Sequence, residues 1–67
     1  MNIKDFTKPE LDYFRENCNF VGIEKDVFEL RSKGVTLEQI PDLIPGTTYD
    51  SIKKVSQRIN RKIIKVI

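Results

Sequence analysis

Histidine and tryptophan are absent from this 67-residue chain, and cysteine occurs once, as Cys18. Lack of histidine removes the commonest general base, the commonest metal ligand and the side chain that titrates near neutral pH. A structural zinc site takes four ligands from Cys and His, and the chain supplies one. A lone thiol cannot close an internal disulfide, which points to a reducing compartment, so the expected location is cytoplasmic. Glycine is scarce at three residues, with no glycine-rich loop. The expectation is therefore no enzyme: no catalytic residue, no metal, no cofactor and no small-molecule substrate. No apolar run exceeds three residues, against about 20 for a membrane span. The opening MNIKDFTKPE lacks the apolar segment that marks secretion.

The length allows one domain, 1–67, with a small core, because so short a chain buries only about 60% of its unfolded surface. Charge is unevenly spread. Residues 1–34 hold six Lys/Arg against seven Asp/Glu, and residues 35–67 hold six against three. From Ser51 onward all acid is missing, while Lys53, Lys54, Arg58, Arg61, Lys62 and Lys65 are present. Such asymmetry suggests contact with nucleic acid or an anionic membrane surface.

Four helical segments can be read in order. Thr7 and Glu10 have capping-box spacing, Pro9 suits a first turn, and Leu11, Phe14 and Cys18 follow at helical spacing; the helix expected is about Lys8–Asn17. Asn17, Asn19 and Gly22 mark a loop. A second helix, about Gly22–Lys33, rests on Ile23, Val27, Phe28 and Leu30, with Glu24, Lys25, Asp26, Glu29 and Arg31 turned outward and Gly34 as its stop. Thr36 and Gln39 form a second capping box before Leu37, Ile40 and Ile44. Pro41 falls near the fifth position of that helix, which is therefore expected to be short and partly 3₁₀. Pro45 and Gly46 end it, Thr47 or Thr48 caps the last helix, and Asp50 suits the positive end of its dipole. Ile52, Val55, Ile59, Ile63 and Val66 then make one stripe, opposite Lys53, Lys54, Gln57, Arg58, Arg61 and Lys65. The fold class expected is all-α: a compact four-helix domain.

The order of these pieces resembles the helix-turn-helix of sigma factor region 4 and the LuxR-like response regulators. VFELRSKG (Val27 to Gly34) stands where that family ends its first helix. Thr36 through Ile40 are similar to its capped second helix, and Thr48, Ser51, Ile52 and Lys53 match the opening of its recognition helix. The likeness covers about Val21 to Ile63. Pro41 replaces a small helix former, and the spacing from Ile40 to Ile52 is one residue longer than usual. LIPGTTYDSIKK also resembles the Leu-Pro-Gly-Arg-Thr turn of Myb/SANT repeats, whose three core tryptophans this chain lacks.

The resemblance implies sequence-specific binding of double-stranded DNA by a small transcription regulator, with a long C-terminal recognition helix in the major groove. Tyr49, Asp50, Lys53, Lys54 and Gln57 then become groove-facing candidates. Arg58 and Arg61 would grip phosphate, Ser51 can reach a phosphate at the helix start beside Thr48, and Thr36 and Gln39 are candidates for backbone contact. Asp50 reads as a helix cap in preference to a base contact.

Plainer readings stand beside these. The cationic face can be a solvated surface, Tyr49 a lid over the turn, and Cys18 a small core residue. The basic helix can equally serve a protein-interaction module that inhibits an acidic protein partner. A membrane surface fits poorly, because the apolar stripe is needed for the core. The apolar end formed by Ile63, Ile64, Val66 and Ile67 is either covered by Phe6, Leu11 and Phe14 or meets a partner, and the partner expected is a second copy in a homodimer.

Overall fold

The computed structural model describes residues 5–67, which form four helices in the order the sequence suggests. The first, α1, spans Lys8–Asn17. Its capping box is complete: Thr7 N–H donates to Glu10 Oε1 at 2.8 Å, and Glu10 N–H donates back to Thr7 Oγ1 at 3.4 Å. Pro9 lies in the first turn, where an N–H has no intrahelical partner to lose. Leu11, Phe14 and Cys18 are buried.

The second helix, α2, spans Ile23–Ser32. It ends in a Schellman motif: Val35 N–H reaches Leu30 C=O at 3.1 Å, and Gly34 N–H reaches Arg31 C=O at 3.0 Å. The motif needs a left-handed residue, and Gly34 supplies it at φ +90°. Val27 and Phe28 are fully buried. The sequence reading of the remaining face needs correction. Glu24, expected outward, is only 5% exposed, and Glu29 and Arg31 are half-buried.

Pro41 is accommodated by a late start. Residues 37–39 form a turn, with Thr36 and Gln39 bonded to each other, and α3 is the single turn Ile40–Leu43. Pro41 therefore sits in a first turn and not at a fifth helical position. The Asp42 N–H to Gln39 C=O bond at 3.1 Å keeps the expected 3₁₀ character.

The last helix, α4, spans Tyr49–Val66, 18 residues or about 27 Å. Thr48 is its cap. Thr47 instead donates its hydroxyl to Ile44 C=O at 2.7 Å, closing the turn. The other three helices all pack on α4. Ile52, Val55, Ile59 and Ile63 are buried there with Ile40, Val27, Phe28, Leu11 and Phe14, and Val66 packs at the edge. Phe6, Leu11 and Phe14 thus cover part of the apolar end, while Ile64 and Ile67 stay 62% and 78% exposed.

Candidate nucleic-acid interface

Docking α4 by its apolar stripe fixes where its polar residues go. At 100° per residue the stripe from Ile52 to Ile63 faces inward, which places Asp50, Lys53, Lys54, Gln57, Arg61 and Lys65 on the outer arc. All six are exposed. Asp50, Lys53, Lys54 and Gln57 line one shallow surface depression of about 290 Å³. Tyr49 borders it, with Lys53 Nζ 5.6 Å from the centre of its ring. Tyr49 is half-exposed, and that contact keeps it on the face. Among the described residues, Lys53, Lys54, Arg61 and Lys65 form no ion pair within the chain.

At the head of the helix, Thr48 N–H donates to Ser51 Oγ at 3.0 Å, and Ser51 N–H donates to Thr48 Oγ1 at 3.2 Å. Ser51 Oγ also donates its proton to Thr48 C=O at 2.9 Å. Its hydroxyl proton is thus already committed, whereas Thr48 only accepts through its hydroxyl and keeps a proton to donate outward. Thr36 and Gln39 behave similarly. Gln39 Oε1 accepts from Thr36 N–H at 3.1 Å, Thr36 Oγ1 accepts from Gln39 N–H at 3.3 Å, and the Gln39 amide NH₂ donates to none of the described residues. Because Thr48 and Ser51 perform the capping, Asp50 does not. Its exposed carboxylate makes no hydrogen bond or ion pair among the described residues, so it does not cap by hydrogen bonding; it does lie in the first turn, where its charge suits the dipole as expected.

Two cations of α4 leave the outer arc on the side of α2. Glu24 Oε2 accepts from Arg58 Nε at 3.2 Å, and Glu24 Oε1 accepts from Lys62 Nζ at 2.5 Å. Lys62 Nζ also donates to Asn19 C=O at 3.2 Å, a carbonyl presented by a left-handed residue at φ +52°. Arg58 keeps its place at the margin of the face with 51% of its side chain exposed, whereas Lys62 is turned inward at 29%. Among the described residues, Lys62 is the cation after Ser51 most engaged by the body of the molecule. Residue type alone hid Glu24. A wheel shows it between Val27 and Phe28, inside the buried arc of α2, and the unbalanced cations of α4 supply its partners.

The Lys62 hydrogen bond is the main cause holding the Glu24 carboxyl below the ordinary carboxylate value of 4.5. The Val21 N–H, the Lys62 charge and Arg58 add to this, and burial opposes it. Arg15 does the same for Glu29, bridging α1 to α2 through both carboxylate oxygens at 2.5 and 2.8 Å. A carboxyl whose value falls on folding binds fewer protons in the native state. Its stabilisation is present above the unfolded value and is lost as pH drops through the depressed native one. Melting temperature is thus expected to be flat near neutrality and to fall below about pH 4.5, with a shallower acid limb in Glu24→Gln; thermal melts followed by circular dichroism between pH 2.5 and 7 check both.

Burial pushes the Cys18 thiol up, so it packs as a small apolar residue and is poorly nucleophilic. Among the described residues, no three His, Cys, Asp or Glu side chains gather as metal ligands, and no helix is long and apolar enough to cross a membrane. No family model matches the chain, and no curated protein or solved structure matches it either.

Proposed function

We propose that the chain binds double-stranded DNA sequence-specifically as a small helix-turn-helix regulator of transcription in the cytoplasm, with the outer arc of α4 in the major groove. One observation carries the reading: α4 is held by Ile52, Val55, Ile59 and Ile63, and its opposite arc presents Lys53, Lys54, Gln57 and Arg61 exposed, the three cations with no ion pair among the described residues. A helix face whose exposed cations run from Lys53 to Lys65, about 18 Å, suits a groove that admits one helix. Lys53 and Lys54 are placed to donate to guanine O6 or N7, Gln57 to pair with adenine, and Asp50, freed from capping, to accept from cytosine N4. Arg58, Arg61, Thr48, Thr36 and Gln39 offer donors to the flanking phosphates.

Affinity for duplex DNA is expected to fall steeply between 50 and 200 mM salt. Arg61→Ala weakens every duplex about eightfold at 0.1 M salt and lowers the log–log slope by about 0.9. Gln57→Ala instead changes the preferred sequence in selection from a random duplex pool. No retardation of any duplex at low salt, with tight capture of an acidic protein, transfers the face to the alternative: an inhibitor or interaction module docking an acidic partner. The exposed Ile64 and Ile67 favour a homodimer reading two half-sites one helical turn apart. A monomer at high micromolar concentration in sedimentation rules that arrangement out.

A further inference from the structure

We propose that Glu24 is a positioning residue for Arg58, holding the guanidinium through Nε so that its two terminal amino groups face outward to a backbone phosphate of duplex DNA. This rests on the DNA-binding reading above and adds a residue that would never touch the nucleic acid. The Glu24 side chain is 6% exposed and lies between α2 and α4. Its Oε1 is occupied by Lys62 Nζ at 2.5 Å and by Val21 N–H at 3.3 Å, which leaves Oε2 to Arg58 Nε at 3.2 Å.

Arginine has one donor at Nε and four more on its terminal nitrogens, arranged as a rigid fork. Anchoring by Nε alone therefore fixes the plane of the guanidinium and leaves its far edge available. Among the described residues, neither terminal nitrogen of Arg58 makes a hydrogen bond, and half of the side chain is exposed. Lys62 shows the contrast. Its single nitrogen gives two of its three donors to Glu24 and Asn19, so it mainly completes the anchor.

The anchor works against a simple count of charge. Glu24 is a negative group near a surface meant for a polyanion, so by Coulomb's law alone its removal should tighten DNA binding. Two cations share it, and the triad keeps a net charge of +1 (Arg58 and Lys62, each +1, against Glu24 at −1). What the carboxylate contributes is order. A long arginine side chain loses much of its rotamer freedom before the phosphate arrives, so less is lost on binding.

These two effects have opposite signs, and a double-mutant cycle separates them. Duplex affinity is measured by fluorescence anisotropy across a salt series for the full chain, Glu24→Gln, Arg58→Ala, the double variant and Arg58→Lys, with melting curves confirming that each folds. In the wild-type background Glu24→Gln is expected to weaken binding about threefold at 0.1 M salt, although it removes a negative charge. In the Arg58→Ala background the same change can no longer act through Arg58; the lost negative charge and the loosened Lys62 both favour the polyanion, and binding is expected to tighten about twofold. Arg58→Lys, with the charge unaltered and no Nε, is expected to bind about fivefold more weakly, which tests the anchor even if Glu24→Gln does not fold. Tighter binding by Glu24→Gln in both backgrounds overturns the positioning role, as does equal weakening in both, or an Arg58→Lys variant that binds like wild type. Each of those results leaves DNA binding itself standing. Failure of the unsubstituted chain to bind any duplex at low salt overturns the DNA-binding reading, and this proposal with it.

Discussion

Replacing Lys54 and Arg61 together by glutamate is expected to lower duplex affinity on the order of 10³-fold at 0.1 M salt. Each reversal removes one cation and adds one anion, so the face loses the equivalent of four charges. At about 0.9 log units per neutralised phosphate per decade of salt, four charges give the stated loss. The fold should tolerate the change. Both residues are exposed, neither joins an ion pair among the described residues, and glutamate is a good helix former. Melting temperature is therefore expected to move little while binding collapses, and anisotropy titrations beside thermal melts separate the two. Lys62 makes the control. Its replacement by glutamate sets two carboxylates against each other at the α2–α4 contact, so stability falls first and binding only as a consequence. A double variant that still bound duplexes normally would place the contact elsewhere on the molecule.

Much of the fold was legible because local chemistry and global packing agree in this chain. Thr7, Pro9 and Glu10 specify the start of α1 with no help from tertiary contacts, and the observed bounds are those expected. The stripe from Ile52 to Ile63 likewise fixes which side of α4 is buried. Reading failed where the environment of a residue outweighed its type. Glu24 is expected outward because glutamate is seldom buried unpaired, yet its wheel position is interior and its partners lie 34 and 38 residues away. No local pattern reports a pairing at that separation. The capping-box spacing of Thr36 and Gln39 reads as a helix start, which puts Pro41 inside a helix. Here the same bonds close a turn, and the helix begins where proline is harmless. Acids favour helix starts, so Asp50 reads as a cap, while the neighbouring Thr48–Ser51 pair fills that role. The general cationic surface was visible in the sequence. Which of its members are free, and which are tied down, was not.

Ile59→Ala should be the most damaging single truncation of α4. Ile59 is fully buried at the middle of the helix on which every other helix packs. Deleting three carbons there costs about 2–5 kcal/mol, the range covering how far the neighbours can relax into the space. Native domains hold roughly 0.05–0.15 kcal/mol per residue, so 67 residues offer only about 3–10 kcal/mol to lose. A fall in melting temperature of about 15 °C or more is expected, and near-ambient unfolding at the upper end of the range. Ile64→Ala, on the exposed side of the same helix, should change stability by no more than about 0.5 kcal/mol. The pair also tests the link from packing to function. A ligand that binds only the folded chain adds about 2.7 kcal/mol at a hundredfold excess over its dissociation constant. Cognate duplex is therefore expected to restore helicity to Ile59→Ala, as read by circular dichroism, with apparent affinity reduced by the unfolded fraction. If duplex binds the unfolded variant as tightly as wild type, the cationic residues act as an unstructured polyelectrolyte, and presentation by a packed helix has no part in recognition.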